Sequence, residues 1–101
     1  MTDPAATDRR LLFLDPQDNV CTAIAPLAGG MALLIQGREV VIDQVIPLGF
    51  KIAARDLVTG EDIIKYGVPI GHASRDIKAG GLVHLHNLDS NYLPTYAHRS
   101  E

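Results

Sequence analysis

K-Y-G-V-P-I-G-H-A-S-R-D-I-K-A-G-G-L-V-H-L-H-N-L, from Lys65 to Leu88, governs how this chain is read. Three of the four histidines (His72, His84 and His86) fall inside it, together with Lys65, Tyr66, Arg75 and Asn87. Toward its end apolar and polar residues alternate at a spacing of two, the period of a half-buried strand. That alternation predicts a strand in which His84 and His86 share one face and Val83 and Leu85 turn to the other. Residue types alone then indicate an anion or metal site on one side of a β scaffold and core on its reverse.

Working outward, a pattern of the form apolar-x-x-Gly-x-x-apolar recurs. It begins at Leu27 (centred on Gly30), Ile46 (Gly49), Leu57 (Gly60) and Ile77 (Gly80). Starts at 27 and 57 lie 30 residues apart, and those at 46 and 77 lie 31 apart. This spacing predicts two copies of a two-turn unit, each glycine accepting positive φ in a tight turn before the next strand leaves. Between the turns, residues 10–14, 19–24, 38–46, 50–56, 62–66 and 68–74 read as short strands. The longest of these, R-E-V-V-I-D-Q-V-I, is β-branched and closed by Pro47. Strands about ten residues apart predict an all-β domain, with room for a helical turn after Arg55 or Arg75. Residues 1–9 read as a flexible tail, 10–90 as the domain, and 91–101 as a C-terminal arm carrying Tyr92, Leu93, Pro94 and Tyr96.

The totals exclude several classes. A chain of 101 residues supports one domain with a modest core, and with 5% aromatics and no Trp that core is aliphatic. A net charge of −3 argues against nucleic acid as a partner, which requires a basic face. Cys21, the single cysteine, rules out an intrachain disulfide framework and reads as a small buried hydrophobe. An acidic, Pro-containing start and the lack of any long apolar run argue against secretion and membrane spanning. The expected setting is the cytoplasm.

Residues 56–88 resemble the SAF domain of the altronate and galactarate dehydratase family. Its pattern matches here at Asp56, Gly60, Ile64, Lys65, Tyr66, Gly67, Ile70, Gly71, Ala73, Asp76, Gly80, Val83, His84, His86 and Asn87. Upstream, P-L-G-F-K-I-A is similar to the family's P-x-G-H-K-I-A, with Phe50 where a histidine is usual. The resemblance runs from Asp18 to about Tyr96. It implies a β-clip fold, related to the antifreeze-like domains of sialic-acid synthases. It further implies the small, N-terminal part of a hydro-lyase, either a domain that precedes a large catalytic domain or a separate small subunit incomplete without a large catalytic chain, and the separate subunit is the expectation here. Such an enzyme removes a proton α to a sugar acid's carboxylate and expels the neighbouring hydroxyl, giving a 2-keto-3-deoxy acid with the help of divalent iron or manganese. The small subunit of (2R)-sulfolactate sulfo-lyase carries the same signature, and other SAF modules bind carbohydrate or protein without catalysis.

On this reading Lys65, Tyr66, His84, His86 and Asn87 contact a hydroxy-carboxylate substrate. The H-x-H spacing of His84 and His86 also suits joint metal ligation, with further ligands from another chain, because two histidines do not complete a site. The metal is therefore not expected to be held by this chain alone. Exposed β edges in so small a domain favour self-association in isolation.

Overall fold

Short aliphatic runs punctuated by glycine turns form nine strands in the computed structural model, which describes residues 6–90. They are β1 (Leu11–Leu12), β2 (Val20–Ala23), β3 (Ala32–Ile35), β4 (Arg38–Val41), β5 (Lys51–Ala53), β6 (Asp62–Lys65), β7 (Val68–Ala73), β8 (Leu82–Val83) and β9 (Leu88–Ser90). The described residues contain no helix, so none is long and apolar enough to cross a membrane. The architecture is all-β, as the turn spacing predicts.

Every strand pairing is antiparallel. A central sheet has the order β1-β2-β5-β8, β3 and β4 form a hairpin, and the third sheet runs β6-β7-β9. Register in the central sheet sorts its side chains into two faces, because neighbours along a strand point to opposite sides. One face carries Leu11, Cys21, Ala23 and Ile52 and packs on Leu33, Ile35, Val40 and Ile42 from the β3–β4 layer. The other carries Val20, Ala53 and Val83 and packs on Ile63, Ala73 and Ile77 from the β6–β7 layer. The sheet is thus shared between two aliphatic cores.

The recurring glycines explain this two-layer build. Gly30, Gly49, Gly60 and Gly80 all have left-handed φ, between 83° and 91°, where a Cβ is unfavourable. The apolar residue opening each turn pairs with its counterpart in an isolated bridge, Leu27 with Ile46 and Leu57 with Ile77. The first pair lies in one core and the second pair in the other. The 30- and 31-residue offsets therefore encode one pair of turns per layer. Each layer also has a two-residue hairpin tip, Gln36-Gly37 and Tyr66-Gly67, with all four residues at positive φ (51°, 83°, 61° and 72°). Positive φ at both central positions is what a type I′ hairpin needs.

Several boundaries differ from expectation. The strand read over 38–46 ends at Val41, after which Ile42 still donates to Met31 before the chain bends. Leu11–Leu12 is all that pairs of the 10–14 run. No helical turn follows Arg55 or Arg75. Instead of capping a helix, the Asp56 carboxylate accepts the Ala79 N–H and the Asp76 carboxylate accepts the Thr59 N–H and hydroxyl, at 2.8–2.9 Å. Each aspartate fastens the other turn of its pair. Ala6 to Asp8, assigned to the tail, are tied to the β3–β4 hairpin: Gly37 donates to Ala6, Gln36 to the Thr7 hydroxyl, and Asp8 to Leu34. The C-terminal arm lies outside the described residues.

Candidate functional site

The β6–β7 hairpin is held in place by a polar pair at the start of β2. Asn19 is buried, and its amide accepts the Ile64 N–H and donates to the Asp62 carbonyl, both at 2.8 Å. Buried Asp18 accepts the Gly67 N–H at 2.8 Å. These contacts fix Lys65 and Tyr66, which lie between them in sequence. Tyr66 is 71% exposed at the hairpin tip, and with Lys65, Leu14, Val68 and Ile70 it lines an open cavity of about 310 Å³.

The histidine segment departs from the strand reading. β8 stops at Val83, and residues 84–87 form a turn. Leu85, expected to face the core, is 72% exposed. The cause is Asn87, which is 4% exposed. Its side chain accepts the His84 N–H at 2.9 Å and donates to the Leu82 carbonyl at 2.8 Å, while its own N–H and that of Leu88 donate to the His84 carbonyl. Both amide atoms of Asn87 are thus engaged in closing the turn, and they set the position of His84. Asn19 and Asn87 use the same grip, a carbonyl at one residue and an N–H two residues on.

His84 and His86 have different surroundings. The His84 ring lies against Phe50, with centroids 5.1 Å apart and planes tilted by 48°. Phe50, in the place of the family's usual histidine, is half-buried against the first core. His86 instead lines a shallow polar groove of about 220 Å³ with Asp43, Gln44, Asp76 and Lys78. His72, on β7, faces Asp89 of β9 across 3.3 Å.

Lys51 is a residue that sequence reasoning missed. It sits mid-sheet on β5, opposite Thr22 of β2 and Val83 of β8. Burial first, and the neighbouring Lys65 ammonium second, hold its pKa below the ordinary lysine value. Only the sheet register reveals this; its sequence neighbours Phe50 and Ile52 give no such signal.

Chemically, the described residues offer ammonium, imidazole and phenol groups on rigid strands and turns, but no assembled nucleophile. Cys21 is buried among aliphatics, and desolvation pushes its thiol up to about 12, which removes it as a reactive thiolate. The divalent metal implied by the resemblance finds no ligand set here: among the described residues no three His, Cys, Asp or Glu side chains gather to hold one.

Comparison with known proteins agrees with the residue pattern. The chain is 43% identical over 74 residues to altronate dehydratase of Escherichia coli (strain K12), covering 73% of this chain and 15% of that enzyme. It is 40% identical over 83 residues to altronate dehydratase of Bacillus subtilis (strain 168), covering 82% of this chain and 17% of the relative. It is also 45% identical over 47 residues to (2R)-sulfolactate sulfo-lyase subunit alpha of Chromohalobacter salexigens, covering 46% of this chain and 50% of that subunit. The chain thus spans less than a fifth of the length of the two altronate dehydratases. With residues 9–91 matching the family model for the altronate/galactarate dehydratase SAF domain, the chain belongs to that family.

Proposed function

We propose that this chain is the small SAF component of a hydroxy-acid lyase of the altronate/galactarate dehydratase type, acting with a large catalytic chain. The observation that carries this reading is the match itself. It covers most of this chain and 15% and 17% of two altronate dehydratases, and a further relative, of (2R)-sulfolactate sulfo-lyase, is named as a subunit alpha, which supports an enzyme divided between chains. Lys65, Tyr66, His84 and His86 then face a hydroxy-carboxylate in the partner's cleft, with Asn87 fixing His84. Cationic and hydrogen-bonding groups stabilise the negative charge that develops when the proton α to the carboxylate is removed. The expelled hydroxyl leaves as water and the product is a 2-keto-3-deoxy acid. In this reading the iron or manganese sits on the large chain, and the complex is cytoplasmic.

A second reading has its own support: the sulfolactate relative is named as a subunit, at 45% identity. It keeps the two-chain organisation and changes the leaving group.

The test is capture of this chain from its native cells with native mass spectrometry of what accompanies it. The eluate is assayed for dehydration of altronate and galactarate and for sulfite release from (2R)-sulfolactate. A stoichiometric large chain with dehydratase activity is expected, and His84→Ala and His86→Ala should each lower that activity about tenfold or more without unfolding the domain. Full activity in both variants would remove the histidines from the site. A homo-oligomer without partner or activity would overturn the subunit reading in favour of a non-catalytic binding module.

A further inference from the structure

We propose that the shallow groove beside His86 binds the hydroxyl groups of a polyhydroxylated ligand through Asp43, Gln44 and Lys78. Segments distant in sequence build its walls. Asp43 and Gln44 lie on the bend after β4, between Ile42 and Ile46, which are both fully buried in the first core. That bend rests on the first glycine turn, since a Cβ on Gly29 would lie 3.3 Å from the Gln44 Cα. Asp76 and Lys78 flank Ile77, which is held by its bridge to Leu57. Thr59 binds the Asp76 carboxylate, and the Gly81 N–H donates to the Lys78 carbonyl at 2.8 Å. His86 comes from the turn that Asn87 closes. The groove therefore lies where both outer layers meet the end of the central sheet, and the backbone of each wall is tied down, as a binding site requires.

The charges that line this groove do not neutralise one another. Elsewhere opposite charges pair, Asp8 with Arg10, Glu61 with Arg55 and Asp89 with His72. Asp43 and Asp76 share the groove with Lys78 and His86, yet none of them forms an ion pair with another. The side chains of Asp43, Gln44, Lys78 and His86 also have no hydrogen-bond partner among the described residues. Asp76 uses one carboxylate oxygen for Thr59 and leaves the other unbonded.

Carboxylate acceptors and ammonium, imidazole and amide donors thus border one open space of about 220 Å³ with their hydrogen bonds unmade. An anion placed there would meet both carboxylates, and a metal ion would find no set of three ligands among the described residues. A hydroxyl both donates and accepts, so a run of hydroxyls satisfies both sets of groups at once. The bonds to the charged members are the strong ones. The space is below the roughly 300–1,000 Å³ of sites for drug-sized ligands, which suits a few carbons of an open-chain polyol. Assigning these hydroxyls to the lyase's substrate rests on the hydroxy-acid reading proposed above; the complementarity to hydroxyls does not. On that reading the groove favours an acid with several hydroxyls over one with a single hydroxyl.

The test is an NMR titration of the full, isotope-labelled chain with D-sorbitol and with sodium D-gluconate. Sodium hexanoate is the control, because it keeps the chain length and the carboxylate and lacks the hydroxyls. Saturable shifts of the Asp43, Gln44, Lys78 and His86 amides with sorbitol and gluconate, and none with hexanoate, are expected. Asp43→Ala should weaken binding about tenfold and Gln44→Ala about threefold, the scales of a charge-assisted and a neutral hydrogen bond. Both side chains are exposed, and unchanged amide positions away from the groove would show that the variants are folded. No saturable shift, equal shifts with hexanoate, silence with sorbitol, or undiminished binding by Asp43→Ala would overturn the site.

The titration needs no second chain, so its failure and that of the subunit reading are distinct. Capture of no large chain would remove the subunit reading and leave a positive titration standing. A negative titration beside an active complex would remove the groove alone. In such a complex, Asp43→Ala should raise KM for a polyhydroxy acid about tenfold with kcat retained, a split that marks lost binding and that a merely structural role would not give.

Discussion

Two buried asparagines act as structural residues in a chain whose conspicuous polar groups are histidines. Each amide behaves like one more residue of a strand, accepting an N–H and donating to a carbonyl two residues earlier. Asn19 does this to Asp62 and Ile64 across more than 40 residues of sequence, and Asn87 does it locally to Leu82 and His84. The long-range case fixes Lys65, so its loss should be felt in stability and in the site together. Truncation in Asn19→Ala leaves a backbone donor and acceptor without partners in a part-buried setting. A loss of about 2–4 kcal/mol is expected, from two unmade bonds at 1–2 kcal/mol each, measured by urea unfolding with the slope unchanged. A loss well under 1 kcal/mol would mean that water replaces the amide and that the hairpin is positioned by its apolar contacts.

At the scale of elements, the third sheet depends on one close approach. A Cβ placed on Gly71 of β7 would lie 2.2 Å from the Asp89 carbonyl oxygen and 3.1 Å from the Ser90 Cα of β9. These are backbone atoms, which cannot swing aside. Gly71→Ala is therefore expected to push β9 from β7 and cost about 1–3 kcal/mol, the range of overpacking. Amide exchange would show the loss as faster exchange across β7 and β9, with β3 and β4 unaffected; uniform protection would show that the sheet shifts as a unit. Elements of this kind were unevenly legible. Short strands and left-handed glycines could be read because both are local properties of a few residues. The turn at 84–87 could not, since H-L-H-N imitates strand alternation and only the return of the Asn87 side chain breaks it. The Asn19 grip and the burial of Lys51 were hidden for the same reason, because each depends on strands distant in sequence. The residues after Arg55 and Arg75 leave room for a helical turn, but the Asp56 and Asp76 carboxylates that follow have their partners in the opposite turn.

Across the whole molecule, carboxylates hold together segments that the aliphatic cores do not reach. Asp8 binds Arg10 in the segment strapped to the β3–β4 hairpin, which lowers its pKa to about 2. Glu61 is lowered by Arg55 and the Val58 N–H, and Asp76 by the Thr59 N–H and hydroxyl. All three prefer the ionised form when folded. Their contribution is therefore complete above the ordinary carboxylate values of 3.8 and 4.5 and is lost as pH falls through the lower folded values. Asp8 is the last to give way, near pH 2. The thermal midpoint should accordingly be level from pH 7 to about 5 and then fall steadily to about pH 2. In the combined variant Asp8→Asn, Glu61→Gln, Asp76→Asn, the midpoint should start lower at pH 7 and decline less on acidification, the two curves converging in acid. Melting curves of both proteins over that range decide the matter. Parallel curves would mean that the acid sensitivity arises from other carboxylates, and that these contacts persist without their charge.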